Sequence, residues 1–107
     1  MKIPKRFKLM GQTVEVVYKD DFRYENDWHG LTSFRRNKIE LQTPSKDNPI
    51  PDCQIEGTFC HELMHFILFF TGSDYKSPKD DLHCDEHLVD LCGQLLHQAL
   101  STMEFEE

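Results

Sequence analysis

Between positions 55 and 70 the chain repeats apolar residues at three- and four-residue steps: Ile55, Phe59, Leu63, Phe66 and Phe70. That spacing predicts a helix with one continuous apolar stripe. Met64, Ile67 and Leu68 extend the apolar surface most of the way round, and a helix that is apolar on most sides is a buried one. In the middle of this run stand His61, Glu62 and His65. Two imidazoles and a carboxylate are costly to bury without partners. A fold that buries this helix must therefore give all three groups something to bind. Asp52 suits the N-cap and Gly72 the C-terminal stop.

The chain before this helix has the chemistry of strands. Residues 6–10 and 13–19 flank Gly11-Gln12, and the second segment carries Val14, Val16, Val17 and Tyr18; a hairpin is the simplest arrangement. Residues 31–34 and 38–41 flank Arg36-Asn37 and predict a second hairpin, with Ile39 and Leu41 on one face. Residues 43–51 contain two prolines and read as a loop. After a polar stretch with Pro78, Asp80 or Asp81 can cap a second helix running to about Met103, with a core stripe of Leu88, Cys92, Leu95, Ala99 and Met103. The expected architecture is a single α+β domain over residues 1–107. A small antiparallel sheet of two hairpins is followed by two packed helices.

His61-Glu62-Leu63-Met64-His65 is an H-E-x-x-H motif. Residues four apart on a helix project from one face, so His61 and His65 can offer two nitrogens to one tetrahedral metal. Glu62 is turned about one hundred degrees from His61 and can reach a water on the metal without binding the metal itself. That arrangement suits zinc hydrolysis. A catalytic zinc takes three protein ligands, and the second helix supplies Glu86 and Asp90, four residues apart. Glu86 is the expected third ligand. Asp90 is expected to accept a hydrogen bond from the outer nitrogen of a metal-binding histidine, fixing its tautomer. Gly93 on the same face would let the two helices approach closely.

His61-Glu62-x-x-His65 followed by Glu86-x-x-x-Asp90 resembles the gluzincin clan of zinc metallopeptidases, which includes the thermolysin-like enzymes. In size the chain is similar to the minigluzincins and to the repressor-cleaving peptidases of phages and mobile elements. The resemblance spans roughly residues 30–99. It implies one Zn2+ per chain, a peptide or protein substrate, and Glu62 as general base and later proton donor to the leaving amine. It also implies an exposed edge strand that captures extended substrate by β-augmentation, here Leu31, Thr32, Ser33 and Phe34. The larger enzymes steady the oxyanion with a residue from a further C-terminal subdomain, for which no counterpart is expected within these 107 residues. His83 is the leading candidate for that role, with His87, Tyr75 and Tyr24 behind it. In minigluzincins the C-terminal tail is thought to occupy the cleft, so the acidic residues 104–107 are a candidate for holding the enzyme latent.

The alternative is a zinc-stabilised interaction module without catalysis, built on Cys84-x-x-His87 and completed by Cys53 and Cys60. Charge narrows the partners further. Nineteen acidic against twelve basic residues give −7, which disfavours binding to phosphate backbones, so no nucleic-acid partner is expected. The longest apolar run, residues 66–70, is far short of a membrane span, so no membrane partner is expected. The basic N-terminus is not followed by an apolar leader. A cytoplasmic address and reduced thiols at Cys53, Cys60, Cys84 and Cys92 are therefore expected.

Overall fold

A computed structural model describes residues 1–20, 29–47, 49–71 and 85–106. The elements run β1 (Arg6–Leu9), β2 (Gln12–Lys19), β3 (Gly30–Ser33), β4 (Lys38–Gln42), α1 (Asp52–Phe70) and α2 (Glu86–Thr102). The class is α+β, a small sheet with two helices. Both hairpins form. β1 pairs β2 antiparallel and β3 pairs β4 antiparallel. The sheet that joins them is not purely antiparallel, however. Its order is β1-β2-β4-β3, and β2 runs parallel to β4. The two hairpins associate through their second strands, which leaves β3 on an edge.

The first turn falls one residue earlier than the glycine alone suggests. Leu9 pairs with Gln12 across Met10-Gly11, with φ of 51° and 76°. Positive φ at both central positions is the two-residue turn that matches strand twist. Gly11 adopts it freely, and Met10 is carried along by the register of β1 on β2. The second connection, residues 34–37, ends in Asn37 at φ 52°, a conformation that asparagine tolerates better than most residues.

Period-2 alternation divides the sheet into faces. Val14, Val16, Ile39 and Leu41 are buried on the inner face, where α1 lays Phe59, Cys60 and Phe66 against them. Phe7 meets Phe59 edge-on. Phe34 lies just past the end of β3, so the edge strand begins and ends one residue earlier than expected. Its ring stacks on Phe69 at 4.2 Å and meets Phe66 edge-on.

Helix ends differ in detail from the sequence expectation. Pro51 is the N-cap of α1, with Asp52 inside the first turn making no side-chain cap. Proline has no N–H to leave unsatisfied. The residue after the helix is Thr71, whose N–H is bonded to Ile67. The cap of α2 is Asp85, accepting from the Leu88 N–H at 3.1 Å. Gly72, Asp80 and Asp81 lie outside the described residues. The core stripe of α2 is out of phase with the expected one: Val89 and Gly93 are buried, with Leu96 and Leu100 packed on the core. Leu95 and Met103 are more than half exposed. α2 carries leucines on two faces, and spacing alone does not say which meets the sheet-and-helix core.

The helices are also tied by Glu56 of α1. Its Oε1 lies 3.1 Å from the Met1 amine and 3.0 Å from His97 Nε2 of α2. These contacts hold the Glu56 carboxyl below its ordinary range, the His97 hydrogen bond first and the amine second.

Candidate metal centre

His61 and His65 sit one turn apart in the middle of α1, their ring centroids 5.2 Å apart. Glu86, in the first turn of α2, reaches across to both. Its Oε2 is 3.2 Å from His61 Nε2 and its Oε1 is 3.2 Å from His65 Nε2. Three potential ligand atoms thus gather within 4.8 Å of one another. A tetrahedral ion with bonds near 2.05 Å keeps its donors about 3.3 Å apart. Glu86 already stands at that spacing from each histidine, and this His/His/Glu group can bind a metal ion.

Donor chemistry points the same way. The other nitrogen of His61, Nδ1, lies 3.5 Å from Asp90 Oδ1. A carboxylate behind one ring nitrogen can accept its N–H and so leave the other nitrogen free to bind a metal. The position of Asp90 is that of the expected support behind a metal-binding histidine. Its other oxygen accepts from Gln94 Nε2 at 2.9 Å. Glu86 is 68% exposed, so two bare imidazoles alone would hold it only weakly.

Two glycines make this geometry possible. A Cβ at Gly93 would lie 2.9 Å from His61 Cα and 3.1 Å from His61 N. Only a residue without a side chain lets α2 pass so near the histidine turn, as the sequence suggested. A Cβ at Gly30 would lie 2.6 Å from Thr58 Cγ2 and 3.1 Å from Glu62 Cγ. β3 is thereby drawn against α1 beside Glu62.

Glu62 is buried, 8% exposed. Its Oε2 is 4.0 Å from His61 Nε2, and its Oε1 is 2.7 Å from Thr32 Oγ1 on β3. Burial pushes the carboxyl above its ordinary range, opposed by the Thr32 hydrogen bond and the two imidazoles.

A cleft of about 940 Å³ runs along β3 and over the metal group. Leu31 and Phe34 line it from the strand side, and Asp90 and Gln94 from α2. The register shows what the strand offers. The Gln42 N–H bonds to His29 O at 2.8 Å, and Gly30 faces Leu41 while Thr32 faces Ile39. In an antiparallel ladder hydrogen-bonded and open pairs alternate. Gly30 and Thr32 therefore turn their backbone N–H and C=O away from β4, toward an edge that no described strand covers.

Several cleft residues carry no motif in the sequence: His29, Gln54, Thr58 and Gln94. Positions 54, 58, 61 and 65 do share one helical face, and that spacing was the available signal. Gln54 Nε2 lies 3.0 Å from His29 Nδ1, linking α1 to the start of β3.

Among the described residues, several other candidates lie away from the cleft. His87 is exposed and does not line it. His83, Tyr24, Tyr75 and Cys84 lie outside the described residues. Cys53 and Cys60 cannot share one metal. They are seven residues apart on α1, about 10 Å along the axis, whereas thiolates on one zinc stand about 4 Å apart. Cys53 is exposed, and Cys60 is buried with its thiol 3.7 Å from Met1 Sδ. Residues 103–106 leave the far end of α2 in the open and line no part of the cleft. Sixteen helical steps, about 24 Å, separate Thr102 from Glu86. No described helix is long and apolar enough to cross a membrane. Comparison with protein-family models, curated proteins and solved structures found no match.

Proposed function

We propose that this chain is a zinc-dependent endopeptidase with a gluzincin-like site. The observation that carries the proposal is the Glu86 carboxylate set 3.2 Å from Nε2 of both His61 and His65, with the Glu62 carboxylate buried beside them. Nitrogen and oxygen donors in this number suit a catalytic zinc better than a structural one, because the three ligands among the described residues leave a position open. Bound there, zinc supplies Lewis-acid polarisation of a carbonyl and makes water acidic enough to attack near neutral pH.

The protein's own groups do the rest. An extended peptide adds to the open edge of β3, its backbone meeting the outward N–H and C=O of Gly30 and Thr32. Glu62 takes the proton of the attacking water at Oε2, the oxygen turned toward the histidines, and passes it to the leaving amine. Asp90 holds the His61 ring through Nδ1. Leu31 and Phe34 give the cleft an apolar wall for a substrate side chain.

The test is the metal content of purified protein by elemental analysis, with wild type and Glu86→Ala in parallel. One zinc per chain in the wild type and its loss in the variant is the expected result. Glu62→Gln should keep the zinc and lose peptide hydrolysis. Zinc retained by Glu86→Ala removes Glu86 from the ligand set. No zinc in the wild type, even after supply, sinks the proposal.

A further inference from the structure

The two oxygens of Glu62 stand in different surroundings. Oε2 faces the imidazoles, 4.0 Å from His61 Nε2. Oε1 faces β3, 2.7 Å from Thr32 Oγ1, and the same hydroxyl lies 3.0 Å from the main-chain oxygen of Glu62. A carboxylate on a flexible stem has several ways to turn, and only some of them present an oxygen to the reacting atoms. The one supplied by Thr32 has its far oxygen already engaged.

Thr32 also occupies a special place on its strand. Its side chain points inward to Glu62, while its backbone belongs to an open pair and faces the free edge. One residue therefore touches both the general base and the line along which an extended peptide would add. The close approach depends on Gly30, two residues earlier on the same face, where a Cβ would strike Thr58 and crowd Glu62.

The geometry points to Thr32 as a positioning residue that aims Glu62 and couples that aim to peptide docking on β3. This role rests on the peptidase reading above. The hydroxyl has one hydrogen and two lone pairs. It donates to Oε1 while Glu62 is ionised, which leaves Oε2 as the oxygen that takes the water's proton. Once Oε2 carries that proton, Oε1 is the carbonyl oxygen of the acid and still accepts from Thr32. The proton then leaves Oε2 for the amine, and Thr32 has neither gained nor lost one. A hydroxyl that can also turn to the main-chain oxygen of Glu62 keeps a partner at each stage.

The experiment compares Thr32→Val, Thr32→Ser and wild type. Valine keeps the branched shape that a strand favours and removes the hydroxyl; serine restores it. Zinc content and thermal melting are read first, then kcat and KM on the best-cleaved member of a randomised quenched-fluorescence peptide pool. Both variants are expected to bind one zinc and melt as a single transition. Thr32→Val should lose about 10–100-fold in kcat, the worth of one hydrogen bond to a charged group, with KM within about twofold. Thr32→Ser should recover most of the loss. If Val fails to fold, Thr32→Ala against Thr32→Ser gives the same contrast. Equal kcat in the hydroxyl-free variant and wild type overturns the role of Thr32 while the peptidase stands. A fall in which KM and zinc content move together marks Thr32 as merely structural and also overturns it. A zinc-loaded wild type that cleaves no peptide refutes the peptidase itself, and this role with it.

Discussion

Replacing Gly93 by alanine tests the helix approach on which the metal group depends. The added Cβ would lie 2.9 Å from His61 Cα and 3.1 Å from His61 N. Carbon atoms settle at about 3.5–4.0 Å, so the helices must part by roughly 0.6–1 Å. The obstacle is backbone, which cannot swing aside as a side chain does, so the upper end of the overpacking range applies, about 3 kcal/mol. Alanine's helix propensity offsets about 1 kcal/mol of this, leaving a net loss near 2 kcal/mol. For 107 residues the unfolding entropy is about 0.22 kcal/mol per degree, so the melting temperature should fall by about 9 °C. Gly57, also helical, is the control: nothing lies within 4 Å of its Cβ position. Gly57→Ala should therefore raise the melting temperature by about 4 °C on propensity alone. Both melts are run in chelator, followed by circular dichroism, so that metal plays no part. A zinc titration then follows. Metal–ligand distances are held within about 0.2 Å, and a Glu86 displaced by the parted helices should bind zinc far more weakly. A Gly93→Ala protein that melts at or above wild type would refute the argument from close approach.

Four further outcomes follow from other contacts. Asp90→Ala should weaken zinc binding about 10–100-fold, read by competition with a chromophoric chelator, while leaving the melt in chelator unchanged. Glu56 has a carboxyl held below its ordinary value of 4.5 by His97 and the Met1 amine. Its contribution is full above 4.5 and is lost as pH falls through the lowered folded value, so melting temperatures of Glu56→Gln against pH should lack this part of the acid decline. Cys60 is pushed up to about 11, mainly by burial and also by Glu56, so a maleimide should label exposed Cys53 quickly and Cys60 only on unfolding. Mass mapping of labelled peptides separates the two. Removing residues 104–107 should leave peptidase activity unchanged, because the tail starts at the far end of α2 from Glu86; a rise on truncation would restore the tail as an inhibitor.

The site was more legible in the sequence than the packing around it. His61, Glu62 and His65 lie in one helix, so their relative placement follows from helical geometry alone. Glu86 and Asp90 needed one further inference, that their shared face meets the histidines, and Gly93 on that face was the clue. The parallel pairing of β2 with β4 was not legible, because hairpin signals are local and say nothing of how two hairpins join. The inward face of α2 was not legible either. Val89, Leu96 and Leu100 compete with Leu88, Leu91 and Leu95 at the same period, and only the tertiary setting chooses between them. The Thr32–Glu62 bond joins residues thirty apart, beyond the reach of any spacing rule.

The misphased helix leads to a last expectation about how the site and the fold depend on each other. Among the described residues, α2 fully buries only Val89 and Gly93, and its Leu91 and Leu95 are about half exposed. An apolar contact this thin gives α2 less to hold it than α1, whose Phe59, Cys60 and Phe66 sit within the sheet core. A metal shared between His61, His65 and Glu86 adds a bond across the weaker of the two attachments. Binding of an ion at one hundred times its dissociation constant stabilises the docked state by about 2.7 kcal/mol. An opening that releases α2 alone should then become roughly 100-fold more frequent when the ion is removed. Amide exchange read by mass spectrometry in zinc and in chelator measures this directly. Peptides from α2 should exchange about two orders of magnitude faster in chelator, with β2, β4 and the centre of α1 changing far less. The same protection of α2 in both conditions would mean that no ion bridges the helices, whatever the three side chains are poised to bind.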